Sequence, residues 1–235
     1  MSAARLFIAA GLLSALLGCS RGGGGAEWFP LDAGHVWQYD TTTRTDGDTE
    51  AHETLTLRSL GRADLDGHTT WRRRSDSGLD YWLRSDDSGI YRVASKTDLE
   101  LDPNPDVAPR YVLRAPFSAG TQWMASTTAY LLRRKNEFPP EIRYVHPSIP
   151  MSYSIEALDQ AVKVPAGSFT GCMRVKGTAQ LRLYADAVAG WRDLPLITRE
   201  WYCRGVGLVR LEREEPSTSS FVTGGTLTME LTQWR

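Results

Sequence analysis

Beyond residue 27, apolar residues recur at every second position through most of the chain, and short clusters of Gly, Asp and Pro interrupt the pattern. Successive strand side chains point to opposite faces, so this alternation predicts strands with one buried and one solvated face; a helix would space its apolar residues three and four apart. The clearest case is residues 79–95. Leu79, Tyr81 and Leu83 alternate with Asp80 and Arg84, and Asp86-Asp87-Ser88-Gly89 then turns the chain into Ile90, Tyr91 and Val93. A hairpin is expected, with Gly89 taking a positive φ at low cost. Asp46-Gly47-Asp48 and Asp66-Gly67 read as equivalent turns around a strand carrying Leu55 and Leu57. After a turn at residues 164–167, Phe169, Met173, Val175, Leu181 and Leu183 alternate with Thr170, Arg174, Thr178, Gln180 and Arg182, the length expected of a barrel wall or strongly curved sheet. Leu227, Met229 and Leu231 alternate in the same way near the C-terminus, so the last strand is expected to be built into the sheet. Residues 98–109 carry Pro103, Pro105 and Pro109 among four acidic side chains and read as a surface loop. The fold class that follows is all-β: a single antiparallel, strongly curved sheet or half-open β-barrel over residues 27–235, with no internal domain boundary.

The front of the chain has a different pattern. Arg5 precedes an apolar stretch over residues 6–17, which Leu16-Leu17-Gly18-Cys19 closes. The stretch is shorter than the roughly 20 apolar residues needed to span a bilayer, and a glycine run follows at once, so residues 1–18 read as a cleaved signal peptide. The four closing residues resemble the lipobox of bacterial lipoproteins, with Leu16 three places before the Cys and the small Gly18 immediately before it. That resemblance implies lipidation of Cys19, which becomes the mature N-terminus and holds the protein to a membrane by its acyl chains. Residues 19–26, including Gly22 to Gly25, form a flexible tether. The expected location is the cell envelope; Ser20 in place of Asp after the Cys favours the outer membrane, facing the periplasm, in a Gram-negative cell.

The formal net charge of -1, from 27 basic and 28 acidic side chains, provides no global field to attract a polyanion, and nucleic acid is set aside as a partner. With Cys19 assigned to lipid, Cys172 and Cys203 remain in an oxidising compartment and are expected to form a disulfide; two separate thiols are the competing reading.

Two segments together resemble the TapB-like family of bacterial envelope lipoproteins. They are Val164-Pro165-Ala166-Gly167-Ser168-Phe169, with Cys172 and Val175 after it, and Trp201-Tyr202-Cys203-Arg204-Gly205-Val206-Gly207-Leu208-Val209. Phe29-Pro30-Leu31 with Gly34, Trp37 and Tyr39 is similar to the family's first strand, whereas Cys203 and Arg204 depart from its usual Ala and Pro. The resemblance implies a barrel-like antiparallel domain in the envelope, with no enzyme activity to carry over. On physical grounds alone Pro165 and Gly167 make a turn, Gly205 and Gly207 admit a bulge or close backbone approach, and Phe169, Ala166, Trp201 and Tyr202 pack.

No catalytic, metal or cofactor site is picked out. His35, His52, His68 and His146 are scattered without ligand spacing, and Gly167-Ser168-Phe169-Thr170-Gly171 has its serine one place away from a nucleophile elbow. Asp98, Glu100, Asp102 and Asp106 read as solvated loop charge or a weak calcium site. Arg72-Arg73-Arg74 and Arg133-Arg134-Lys135 read as solvated faces or as contacts to an anionic surface. The expected function is a non-enzymatic, membrane-anchored envelope module that binds a protein partner or an apolar ligand. An envelope hydrolase acting on glycan or lipid and a structural subunit of an assembly or secretion complex are the alternatives.

Overall fold

The computed structural model describes residues 25–47, 50–135, 137–186 and 190–235. The signal peptide, Cys19 and the tether up to residue 24 lie outside the described residues. The first meander comprises β1 (Val36–Thr45), β2 (Ala51–Leu65), β3 (His68–Ser75), β4 (Leu79–Asp86), β5 (Gly89–Thr97) and β6 (Asn104–Arg114). The second half holds β7 (Gln122–Thr127), β8 (Arg133–Arg134), a 3-10 turn at Ile142–Tyr144, β9 (Ile149–Val164), β10 (Gly167–Asp186), β11 (Gly190–Cys203), β12 (Gly207–Glu215), β13 (Val222–Thr223) and β14 (Gly225–Trp234).

Twelve of these strands form one antiparallel sheet in the order β6-β5-β4-β3-β2-β1-β14-β12-β11-β10-β9-β7, and β8 pairs β13 separately. The sheet curls into a nearly closed barrel with one unsealed seam, where its edge strands β6 and β7 lie side by side without a ladder between them. The join between the two halves is the pairing of β1 with β14, from Trp37 opposite Trp234 to Thr45 opposite Gly225, so the final strand lies in the middle of the sheet. The hairpin of β4 and β5 and the long β10 are as the alternation predicts. On β10, Met173, Val175, Leu181 and Leu183 are all buried.

Two expectations are corrected. Residues 98–109 are not one loop, because 104–109 form the first half of β6, paired with β5 through Asn104 opposite Ser95 and Pro105 opposite Ala94. Proline lacks a donor and is excluded from central strands, but an edge strand can turn those positions toward the unpaired side, where the missing N–H also blunts an open edge. Gly25, expected in the tether, is packed instead. A Cβ at that position would come within 2.9 Å of Ile90 Cδ1 and Phe117 Cζ, and the Gly25 carbonyl accepts hydrogen bonds from the N–H groups of Trp28 and Phe29 at 3.0 Å. Here the glycine serves a tight approach instead of flexibility.

Residues 25–31 plug one end of the barrel. Trp28, Phe29 and Leu31 are buried among Leu83, Ile90 and Leu113 of the first half and Trp123, Ile155 and Tyr202 of the second. The plug therefore joins the two walls that the seam leaves unladdered. It is held further by the Gly205 N–H to the Glu27 carbonyl at 2.6 Å, by Gly207 at φ +93° beneath Pro30, and by Arg204 paired with Glu27. Gly205 and Gly207 both take positive φ, and Gly207 lies against Pro30. Beside the plug a second apolar cluster contains Trp37, Tyr39, Val162, Val164, Val209 and Leu231 around Cys172 and Cys203. These two cysteines form a disulfide across β10 and β11, with Cα atoms 4.2 Å apart.

Candidate functional site

The walls do not fill the barrel. Above the plug lies a cavity of about 760 Å³, and below it, against Phe29, a second chamber of about 290 Å³. Arg110, Tyr130, Glu200 and Leu211 line both and form a waist between them. The inward registers of neighbouring strands produce two unlike walls. Leu55 of β2, Leu211 of β12, and Leu227 and Met229 of β14 make an aliphatic wall; Arg110 of β6, Tyr153 of β9 and Thr198 and Glu200 of β11 make a polar one. Glu53, Thr54, Asp76 and Ser77, beside the β1–β2 and β3–β4 loops, stand at the upper rim, and both acids there are exposed.

On β11 the inward positions run Leu194, Leu196, Thr198, Glu200, Tyr202, so period two alone carries a carboxylate into the interior. Glu200 accepts a hydrogen bond from the Tyr202 hydroxyl at 2.5 Å. Burial raises its pKa, against the lowering effects of the Tyr202 hydrogen bond, the Arg213 and Arg110 charges and Thr198. Tyr202 itself is buried beside this carboxyl, and its pKa rises well above the usual phenol value.

Tyr130 reaches the waist from the segment between β7 and β8, which a buried charge holds in place. Glu215, fully buried at the end of β12, accepts hydrogen bonds from the backbone N–H groups of Tyr130, Leu131 and Leu132 at 2.8 to 3.1 Å and from Arg213 Nε at 2.8 Å. Arg213 donates in turn to the Thr128 carbonyl at 3.0 Å, and its guanidinium lies 5.4 Å from the Tyr130 ring centroid. This pair is thus electrically balanced and structural.

At the floor, Arg73 is buried between the rings of Phe29 and Trp37, 4.0 and 4.4 Å from their centroids, and donates to the Pro30 carbonyl at 2.6 Å. Desolvation brings its pKa down to about 10, so it remains a cation at neutral pH. The Tyr39 hydroxyl alongside is buried and donates to the Leu208 carbonyl at 2.8 Å; its pKa is driven up.

Few of the residues singled out in the sequence meet at this cavity. Tyr202 lines the lower chamber; Pro165 and Ala166 form the β9–β10 turn, Phe169 packs near the disulfide, and Trp201 faces away beneath Arg210. The arginine triplet is divided by the pleat of β3. Arg72 and Arg74 face Asp80 at 2.6 and 3.4 Å, Arg74 also meets Asp98 at 2.5 Å, and Arg73 points inward. Arg133 and Arg134 pair with Glu141 and Glu137. The acidic run is dispersed too: Asp106 takes Arg92 at 2.5 Å, and Glu100 receives the Thr97 N–H at 2.6 Å. Arg110, Tyr130 and Glu200 were not singled out, and Arg73 was read only as part of the basic triplet. For Glu200 and Arg73 a signal existed, namely a charge on the apolar face of an alternating strand; Arg110 was hidden by the proline-rich stretch before it.

No family model matches the chain, and no curated protein does. Two solved structures are similar. A protein assigned as a lipoprotein from Parabacteroides distasonis is 14% identical with a TM-score of 0.42, over 88% of this chain and 98% of its own. A protein assigned as exported, with a YmcC-like fold, from Bacteroides fragilis is 14% identical with a TM-score of 0.43, over the same shares.

Proposed function

We propose that the chain is an exported envelope lipoprotein, acylated at Cys19, whose barrel is a non-enzymatic binding module for a small apolar or amphipathic ligand. The observation that carries this reading is the cavity of about 760 Å³ with an aliphatic wall facing a polar one. Its size falls in the range of roughly 300 to 1,000 Å³ usual for ligand sites, and a few convergent polar groups on an apolar surface are what orient a bound molecule. The lipobox-like residues before Cys19 and the disulfide favour an oxidising envelope compartment. In a Gram-negative cell the outer membrane, facing the periplasm, is the expected address.

Two experiments test it. An environment-sensitive apolar dye should bind saturably, and Met229→Trp, which fills the cavity from the aliphatic wall, should abolish binding while leaving the thermal transition in place; equal binding by both proteins would remove the cavity from consideration. Separately, Cys19→Ser should release the protein from membranes and abolish incorporation of labelled fatty acid. Retention of the variant on membranes would contradict acylation at that sulfur.

A further inference from the structure

Resting on the cavity reading above, we infer that the ligand is a single-chain amphiphile with a carboxylate head, and that Arg110 is the residue that binds that head.

Charge balance inside the barrel leads to this. Arg213 is neutralised by Glu215, and Arg92 by Asp106, which it grips through Nε at 2.7 Å and Nη2 at 2.5 Å. Among the described residues the Arg110 side chain makes no hydrogen bond or ion pair. Its position makes that isolation unfavourable, since it stands directly opposite Arg92 in the β5–β6 register, and like charges facing across a ladder repel. Arg110 is half-buried and feels the Glu200 charge without pairing with it, so a bound carboxylate would supply the direct hydrogen bonds that the guanidinium lacks. Deeper in, Arg73 donates to the Pro30 carbonyl but has no carboxylate partner, and its Nε is buried with no acceptor. The one acid at the waist, Glu200, forms no ion pair with Arg110, although the two charges interact, and its carboxyl is already engaged by Tyr202. The interior therefore holds an excess of positive charge. Glu53 and Asp76 are on the exposed rim, where water screens them.

Location specifies the rest of the ligand. Arg110 lines the upper cavity, the lower chamber and a third cavity of about 660 Å³ along the β6–β7 seam, and it is the residue common to all three among those described. A planar guanidinium there presents a fork that a carboxylate accepts in two parallel hydrogen bonds. From that point an alkyl chain can lie along Leu211, Leu227 and Met229 on the opposite wall. A neutral lipid would leave the cation unpaired, and a cationic one would add to it.

The test uses the full-length protein in its own membranes, labelled with a photoactivatable long-chain fatty acid or with the matching fatty alcohol, and the labelled peptides are mapped. In the wild type the acid should label peptides of β12 and β14 at a lower half-saturating concentration than the alcohol. Arg110→Met should raise that concentration for the acid about ten-fold or more, the weight of one charge-assisted contact, and leave the alcohol unchanged. Arg110→Lys, which keeps the charge, should retain the preference for the acid, and an intact Cys172–Cys203 disulfide reports that each variant has folded. If Arg110→Met weakens acid and alcohol alike, or if the wild type takes the alcohol as readily as the acid, the carboxylate assignment is overturned while the cavity reading stands. If neither probe labels those peptides, the cavity reading fails and this inference with it.

Discussion

At the scale of single residues, the interior is governed by how each charge is compensated. Arg213 and Glu215 neutralise each other, Arg73 is stabilised by aromatic faces and a carbonyl, and Glu200 has a phenol in place of a cation. The last of these has a pH signature. Its folded-state pKa is raised by burial above the unfolded value of about 4.3. Below the unfolded value both states hold the proton and Glu200 imposes no penalty. As pH rises toward the folded-state value, the folded protein must either keep a proton that the unfolded chain releases or bury a charge, so stability falls. Glu200→Gln retains an acceptor for the Tyr202 hydroxyl and removes the titration. In urea unfolding it should be more stable than the wild type at pH 7, with the gap closing by about pH 4. A gap of the same size at both pH values would show that Glu200 titrates normally.

At the scale of elements, two devices position the waist. The end of β12 holds the segment bearing Tyr130 through three backbone N–H groups on one carboxylate. Glu215→Gln leaves Arg213 as an uncompensated buried cation, and denaturant unfolding should show a loss of about 3 to 5 kcal/mol, the usual cost of breaking a buried pair from one side. A loss below 1 kcal/mol would mean that the pair is solvated in a way its burial does not suggest. The other device is the β10–β11 disulfide, which closes a loop of 31 residues in sequence separation beside the plug. Replacing both cysteines with Ser should lower stability by about 3 to 4 kcal/mol on the chain-entropy estimate, read as a shift in urea midpoint with little change in slope.

At the scale of the whole molecule, what the alternating pattern could convey and what it could not divide along physical lines. A strand's two faces, the turn at residues 86–89, the length of β10 and the inward course of Leu194 to Tyr202 follow from a local period of two and from the φ that glycine permits. These made the all-β class and the curved antiparallel sheet legible, and the leftover pair of cysteines made the disulfide so. The 98–109 stretch was misread because proline reports a missing donor without reporting whether the strand has a neighbour on that side; Asn104 to Pro109 have β5 on one side and the seam on the other. Gly25 was misread because the same absence of a side chain serves both a loose tether and a tight contact, and only Ile90 and Phe117 distinguish them. The sequence by itself therefore determined which residues alternate and where the chain turns, both set by near neighbours, and which sulfurs remain to pair, set by elimination. That β14 closes on β1, that residues 25–31 plug one end, and that Arg110 faces a cavity without a partner were decided by tertiary structure alone, because they depend on which distant strands become adjacent and in what register.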